Sequence, residues 1–421
     1  MKEDANNQAW KKIFDELSVR EKILSSGLVH LTAKQIKTIG HQEPRNMAKW
    51  DSRDARPKIM QDLGITILPT SRSGYVLIKG DGYKELPPTE SPSHHPPSKL
   101  EPFTTLPWRE ELTKESVAID VTAISSMLKK FTGETDLALT IRGRSGTSQF
   151  SFDFQGASKV HRIAVDRAQI EVDAGFEGEN VWLIEAKIGE PEDFLVRQLY
   201  YPWREWSTLT RKPVVPLFLN YSNKTFGLFR YGFGSAENYH SITLLENRWF
   251  TLDVPEGVDS LENLFESSRP VTPPKPFPQA DTLGTVIAAV ELYAGEITAA
   301  ADLAERLGFD ERQGQYYTTA ALWLGLVERS GGKISLLARG KEFVAASRWA
   351  RFKILFRAVA ATPVFRECIR RNLGRNPMPA EEIVELILAK GYANKTTAGR
   401  RAQTVVAWLD WLWREHANLK G

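Results

Sequence analysis

A chain of 421 residues, 42% hydrophobic and 25% charged, is globular in composition and too long for one ordinary core, so we expect two or three domains. Its one cysteine, Cys368, excludes a disulfide framework and any zinc site needing several thiolates, and it fits a reducing cytoplasm. The net charge of +3 is nearly neutral for this size, no apolar run reaches the length of a membrane span, and from the Met-Lys-Glu-Asp start we expect no secretory signal.

The first apolar residues, Trp10, Ile13, Phe14, Leu17 and Ile23, recur at helical spacing. Strand patterns follow at Ile65–Leu68 and Tyr75–Ile78, separated by a Ser-Gly turn. Between helix and strands lies a loop carrying Arg45 and Lys49, with Arg53, Arg56 and Lys58 close behind. Residues 1–85 therefore predict a small α+β unit with an exposed basic loop. Arg45 and Lys49 are candidate nucleic-acid contacts there; a structural ion-pair cluster is the competing reading. Residues 86–104 are proline-rich and predict a linker or long surface loop.

Residues 105–268 mix helix and strand character. Ala118 to Lys130 predicts a helix, and Leu137–Ile141 and Gln149–Asp153 predict strands. Lys159, His161 and Arg162 form a basic cluster expected on a short helix, where Lys159 and Arg162 could grip a phosphate backbone; His161 is expected to be a surface histidine. Gln169–Phe176 and Val181–Lys187, joined by a turn at Glu177–Asn180, predict a β-hairpin. Side chains two apart on a strand share a face, so Glu185 and Lys187 point together, as do Gln169, Glu171 and Asp173. The hairpin brings Asp173 near Glu185 if the pairing register permits it.

That pattern has a chemical logic. Two carboxylates held a few ångströms apart repel unless a cation sits between them. Mg²⁺ prefers oxygen ligands and keeps positions for water and phosphate oxygens. It stabilises charge on a phosphate under attack and acidifies water. A lysine beside it orients the water and offsets charge in the transition state. An ordinary ion pair on a solvent-facing strand is the competing reading. However, Glu185 and Lys187 follow Val-Trp-Leu-Ile, so the charges interrupt a strand that reads as buried, and buried charge is costly without a partner or a metal.

Pro191 and the acids after it predict a helix start, which turns Gln198 toward the same site and makes Arg197, Tyr201 and Arg204 candidates for phosphate or stacking contacts. Val214–Leu219 and Phe226–Tyr231 continue the sheet. A second proline-rich linker is expected at residues 269–280.

Residues 281–421 read as mainly helical. Helices are expected from Thr282, at Ile297–Leu307 after it, and, past a turn at Gly308–Asp310, at Arg312–Val327; a two-stranded hairpin follows at Glu328–Leu337. That order resembles a winged helix-turn-helix, whose third helix enters the DNA major groove. Arg312, Gln313, Gln315 and Tyr316 stand at the N-terminal half of this helix, and Lys333 on the wing would meet phosphate. Many winged helices bind proteins instead. Near the end, Asn394 or Thr396 can cap a helix whose first turns carry Arg400, Arg401 and Gln403, a second candidate reading element. From Gly331 to Arg375 eleven Lys or Arg face two acids, which suits either a polyanion or a solvated helix face.

Asp173, Glu185-Ala-Lys187 and the helical Gln198-Leu-Tyr-Tyr201 together resemble the active-site core of the PD-(D/E)xK nuclease superfamily, in particular type II restriction endonucleases with a basic N-terminal unit and a helical C-terminal unit. The motif's Asp, Glu and Lys fall on Asp173, Glu185 and Lys187; Val172 stands where a proline often precedes the aspartate. The resemblance implies an α+β multidomain fold with a restriction-endonuclease-like mixed sheet flanked by helices and a C-terminal winged-helix region. It further implies Mg²⁺, with Mn²⁺ as a substitute, bound by Asp173 and Glu185, and double-strand DNA cleavage leaving 5′-phosphates. A homodimer, a cognate DNA methyltransferase and a cytoplasmic setting go with it. The alternatives are a modification-dependent or repair nuclease, and a catalytically silent winged-helix DNA-binding protein.

Overall fold

The computed structural model describes residues 5–94, 112–253, 257–272, 276–295, 297–309, 311–374 and 376–420. The expected first linker beyond residue 94, residues 273–275 of the second, Asp310 of the expected turn and Arg375 of the basic run lie outside them.

The N-terminal unit comprises α1 (Ala5–Glu16), α2 (Val19–Ser26), β1 (Leu28–Thr32), α3 (Ala33–Gly40), α4 (Pro44–Met47), α5 (Lys58–Leu63), β2 (Ile65–Pro69) and β3 (Gly74–Lys79). Trp10, Ile13 and Phe14 bury one face of α1, and the Trp10 indole donates to the Met47 carbonyl at 3.1 Å. A capping box between Thr32 and Gln35 starts α3 by satisfying otherwise orphaned N–H groups. The three strands pair in the order β1-β3-β2, so this unit is α+β, with its core between helices and sheet.

After β4 (Tyr83–Glu85), the last strand of the N-terminal unit, the central unit follows with β5 (Ser93–His94), α6 (Glu115–Ile124), α7 (Met127–Thr132), β6 (Ala138–Gly146), β7 (Phe150–Gln155), β8 (Val160–Val165), β9 (Gln169–Glu177), β10 (Val181–Ile188), β11 (Asp193–Leu195), α8 (Arg197–Leu209), β12 (Val214–Ser222), β13 (Thr225–Phe233) and β14 (Ile242–Thr251). Seven strands form one mixed sheet in the order β5-β14-β13-β12-β10-β9-β6. β9 and β10 are antiparallel, whereas β10 and β12 are parallel and joined through α8. Helices cover both faces: α6 and α7 pack on Trp182, Ile184 and Leu219, and α8 packs on Phe218 and Phe229. A strand covered on both sides reads as a continuous apolar run, which is what Val181 to Ile184 is.

Three local expectations are corrected. The helix expected over Ala118–Lys130 is two helices, because Ser126 takes a left-handed backbone at φ 67° and breaks the run. Lys159 to Arg162 are not helical: β8 pairs with β7, and the alternation of His161, Ile163 and Val165 buries one face of it. The helix expected from Pro191 begins only at Arg197, because Asp193–Leu195 extend to pair with β4. That two-stranded pairing joins the N-terminal unit to the central unit, and Arg53 strengthens it with ion pairs to Asp81 at 2.8 Å and Asp193 at 3.2 Å.

The C-terminal unit holds α9 (Leu261–Glu266), α10 (Leu283–Ala294), α11 (Ala300–Leu307), α12 (Glu311–Trp323), a hairpin of β15 (Val327–Ser330) and β16 (Lys333–Leu336), then α13 (Ala338–Ala345), α14 (Arg348–Ala360), α15 (Pro363–Leu373), α16 (Ala380–Ala389) and α17 (Lys395–Lys420). Eleven of the twelve residues of α10 are buried, making it the axis of this unit. Part of the basic run after Gly331 is paired internally. Arg348 pairs with Glu415 at 2.7 Å, Arg351 with Glu291 at 2.5 Å and Arg371 with Glu382 at 2.6 Å. Arg366 caps the carbonyls of Ser268 and Ala360. The solvated-face and polyanion readings of this run both give way to internal pairing at these positions.

Gly227 lies opposite Trp249 in the β13–β14 ladder, and a Cβ there would come within 2.5 Å of the indole. Gly227→Ala is expected to destabilise the protein by about 2 kcal/mol through this overpacking, read by denaturant unfolding.

Candidate active site

The site grows from the β9–β10 hairpin. Its register pairs Ile184 with Ala174, so the next residue along, Glu185, stands across from Asp173. Asp173 Oδ2 accepts the Ala186 N–H at 2.9 Å, which fixes the carboxylate against the neighbouring strand. Lys187 Nζ donates to Glu185 Oε1 at 2.7 Å, as residues two apart on one strand face allow. From the first turn of α8, Gln198 Nε2 donates to the same oxygen at 2.5 Å. Asp173, Glu185, Lys187 and Gln198 thus converge at the C-terminal end of β10.

Two further carboxylates complete the cluster. Asp51, from the N-terminal unit, places Oδ2 3.4 Å from Lys187 Nζ, and Glu115, at the start of α6, places Oε1 3.8 Å from it. Neither is visible as a motif. Asp51 ends a loop that reads as basic, and Glu115 stands before the helix expected from Ala118.

Burial sets the electrostatics. It drives the Glu185 carboxyl up to about 8, with Lys187 drawing it back and Asp173 pushing it further up. Burial likewise raises Asp173, against the pull of Lys187 and the Ala186 N–H, and raises Glu115. Burial alone would lower Lys187, but Glu185, Asp51, Glu115 and Asp173 outweigh it and hold the ammonium well above its usual range. For Asp51, burial is outweighed by Lys187, Lys49 and Arg197, so its carboxyl falls below the usual aspartate value. Four acidic side chains therefore share one buried ammonium, and burial disfavours the charged form of Glu185.

A divalent cation fits this arrangement. Mg²⁺ is commonly held by one or two carboxylates with water and phosphate oxygens in the remaining positions, and Asp173 with Glu185 supplies such a pair. Gln198 Oε1 is buried without a hydrogen-bond partner beside Glu185, an acceptor left over for a water at the same place. Among the described residues no three His, Cys, Asp or Glu side chains are arranged as a protein-only metal cage.

The site opens on a cleft of about 850 Å³ between the three units. Lys49, Asp51, Glu115 and Lys187 line one wall, and Asp302 and Gln313 the other. Acidic side chains outnumber the basic ones, Lys49, Lys187 and Arg306, along it.

The other sequence-derived candidates divide. Arg45 is exposed and pairs with Glu171 at 3.5 Å, which Arg144 also pairs with at 3.1 Å, so it lies on the face of β9 that carries Asp173. Arg197 is close enough for its charge to act on Asp51. Lys159 is exposed beside the β7–β8 hairpin, and Arg162 pairs with Asp153 and Glu237, away from the cluster. Tyr201 is not available to a ligand: one helical turn beyond Arg197 it faces the core, fully buried, with its hydroxyl on the Pro69 carbonyl at 3.0 Å. Arg204 is structural as well, donating to the Ser151 carbonyl at 3.2 Å and lying over the Phe150 ring.

In the C-terminal unit the Tyr316 ring is flanked by two guanidiniums, Arg312 at 5.3 Å and Arg400 at 5.4 Å. Gln315 accepts from Arg329 at 3.0 Å, and Lys333 and Gln403 are exposed. Arg401 is a correction: it is buried and donates to the carbonyls of Phe277 and Pro278, because α17 turns that side toward the core.

The raised Glu185 value carries a stability consequence. Below the ordinary glutamate range both folded and unfolded chains are protonated there. As pH climbs toward about 8 only the unfolded chain has released the proton, so folding becomes costlier. In metal-free buffer, Glu185→Gln is therefore expected to raise Tm relative to the parent, with a gap that widens from pH 5 to pH 8. A gap that narrows over that range in thermal scans would contradict the assignment.

Residues 7–77, 78–251 and 285–417 match three family models, each described as a domain of unknown function, DUF6996, DUF6997 and DUF7226 respectively. No curated protein and no solved structure matches the chain.

Proposed function

We propose that the chain is a Mg²⁺-dependent DNA endonuclease of the type II restriction class, built on a PD-(D/E)xK-like core. The observation that carries this reading is the meeting of Asp173, Glu185, Lys187 and Gln198 in one cluster, whose Lys187 lines a cleft. A mixed sheet with helices on both faces and a parallel crossover through α8 is compatible with such a core.

Asp173 and Glu185 would hold the ion, with Mn²⁺ able to replace Mg²⁺. When bound, it supplies positive charge to the phosphate and makes water easier to deprotonate. Lys187, kept charged by its carboxylate neighbours, orients the attacking water and offsets the charge that builds on the phosphate. Gln198 fixes Glu185 through its N–H and offers Oε1 to a water. As the water oxygen bonds to phosphorus and gives up a proton to solvent, the P–O3′ bond breaks; the 3′ oxygen would take a proton from a water of the bound cation and leave as a hydroxyl, and the 5′-phosphate stays on the other fragment.

Three helices followed by the β15–β16 hairpin support a winged-helix reading of residues 283–336. Arg312 and Arg400, braced on Tyr316, with Gln315, Lys333 and Gln403 nearby in that unit, would contact DNA. Two copies would cut the two strands, in a cytoplasm where a cognate methyltransferase protects the host sites. The acidic cleft makes cation binding a precondition for docking phosphates.

Incubation of unmodified plasmid with Mg²⁺ is expected to give discrete bands, whereas random degradation or no cutting would refute the class. Asp173→Ala and Lys187→Ala are expected to abolish cleavage, while Lys187→Ala, which leaves both cation ligands in place, keeps DNA affinity in Ca²⁺ within about threefold. Affinity in Ca²⁺ should exceed that in EDTA by about tenfold or more, since neutralising the carboxylates removes repulsion of phosphates. Arg312→Ala and Arg400→Ala should each weaken DNA binding and lower the slope of log affinity against log salt by about 1.

A further inference from the structure

We propose that Asp51 is a positioning residue of this nuclease site, lent by the N-terminal unit to hold the Lys187 ammonium in its working place; the inference rests on the nuclease reading above. An ammonium on a four-carbon stem has three donors and little directional preference of its own. Its contact with Glu185 comes from the same strand, so that contact does not decide where along the cleft wall the nitrogen stands. Asp51 approaches from a different unit and supplies the second anchor, at 3.4 Å.

The Asp51 backbone is tightly held. Its carbonyl accepts the Leu195 N–H at 3.0 Å, two residues before α8 begins. The preceding carbonyl, of Trp50, accepts the Tyr83 hydroxyl at 3.0 Å, and the Trp50 indole donates to Met47 at 2.7 Å. Two residues on, the Arg53 N–H donates to Asp193 Oδ1 at 2.8 Å. These bonds fix the chain on both sides of Asp51 relative to β11 and α8, the elements that also place Gln198. The side chain projects from this clamp to the cleft, where a fifth of it remains exposed.

An ion pair that merely joined two units would look similar in isolation. Here the joining is done elsewhere, by the β4–β11 pairing and by Arg53 on Asp81 and Asp193. Removing the Asp51 carboxylate leaves those contacts in place. The two roles therefore separate in experiment, and the N-terminal unit becomes part of the catalytic centre as well as a flank for it.

The test compares the full-length parent with Asp51→Asn in single-turnover cleavage with Mg²⁺, in DNA affinity with Ca²⁺, and in thermal unfolding. The expected result is a cleavage rate lower by about tenfold or more with affinity within about twofold and Tm within a few degrees. Asp51→Ser, which also removes the charge, reads the same way should the asparagine variant not fold. Parent-like cleavage in a folded variant overturns this inference alone. A rate loss that merely follows lost folded protein or lost DNA affinity also overturns it. A parent protein that cuts no DNA with Mg²⁺ or Mn²⁺ overturns the nuclease reading, and the inference with it.

Discussion

The Lys187 ammonium is held at the end of a fully covered central strand, with carboxylates from three separate parts of the chain around it. Taking such a charge out of water is expensive, and one partner seldom compensates for it. Glu185 alone, neighbouring Lys187 on β10, would leave both groups poorly solvated. Asp51 and Glu115 restore the balance for the lysine but overshoot for the carboxylates, and the strain falls on Glu185, which burial and Asp173 drive to a value near neutrality. Most of what is unusual in the molecule follows from this one excess of negative charge in a low-dielectric place.

The three units are arranged around it. The N-terminal unit reaches the central unit through the β4–β11 pair and Arg53, and brings Asp51. The C-terminal unit reaches the same strand from the other side. Just beyond β10, Gly189 takes a left-handed backbone at φ 99°, and Glu190 turns inward to accept the Trp411 indole N–H at 3.0 Å and to pair with Arg414 at 3.5 Å, both on α17. Gly284 on α10 makes room for Glu190, since any Cβ there would collide with its carboxylate. The segment that carries Glu185 and Lys187 is therefore held at its exit by the helical unit.

Elsewhere the helical unit stabilises itself by pairing its own charges. Arg348 with Glu415 and Arg351 with Glu291 are buried pairs, and Asn223 of the sheet donates to Glu415 at 3.0 Å, so one of these pairs also ties α14 and α17 to the central unit. Losing one member of such a pair leaves the other charge stranded, which makes these contacts specific about partners even where their net stabilisation is small. Arginines of one unit thus serve unlike ends, even the adjacent Arg400 and Arg401: Arg312 and Arg400 remain at the surface around Tyr316, while Arg348, Arg351 and Arg401 are interior.

Local periodicity was enough to place what depends on near neighbours. Alternation along Gln169–Phe176 and the apolar run before Glu185 set the hairpin and the shared face of Glu185 and Lys187, because strand pairing across a short turn is a short-range event; the register that puts Glu185 across from Asp173 came from the structure. The helix–helix–helix–hairpin order of the C-terminal unit was legible for the same reason. Gln198 was legible through helical spacing even though its helix starts later than Pro191 implied. Only the tertiary structure could decide Asp51 and Glu115, since 136 and 72 positions separate them from Lys187 and nothing near them in the chain marks them out. It also decided which basic and aromatic residues are exposed. Tyr201, Arg204 and Arg401 resemble surface contacts in sequence, but whether an arginine or tyrosine meets solvent or a buried carbonyl is set by the element packed against it, and that element lies far away along the chain.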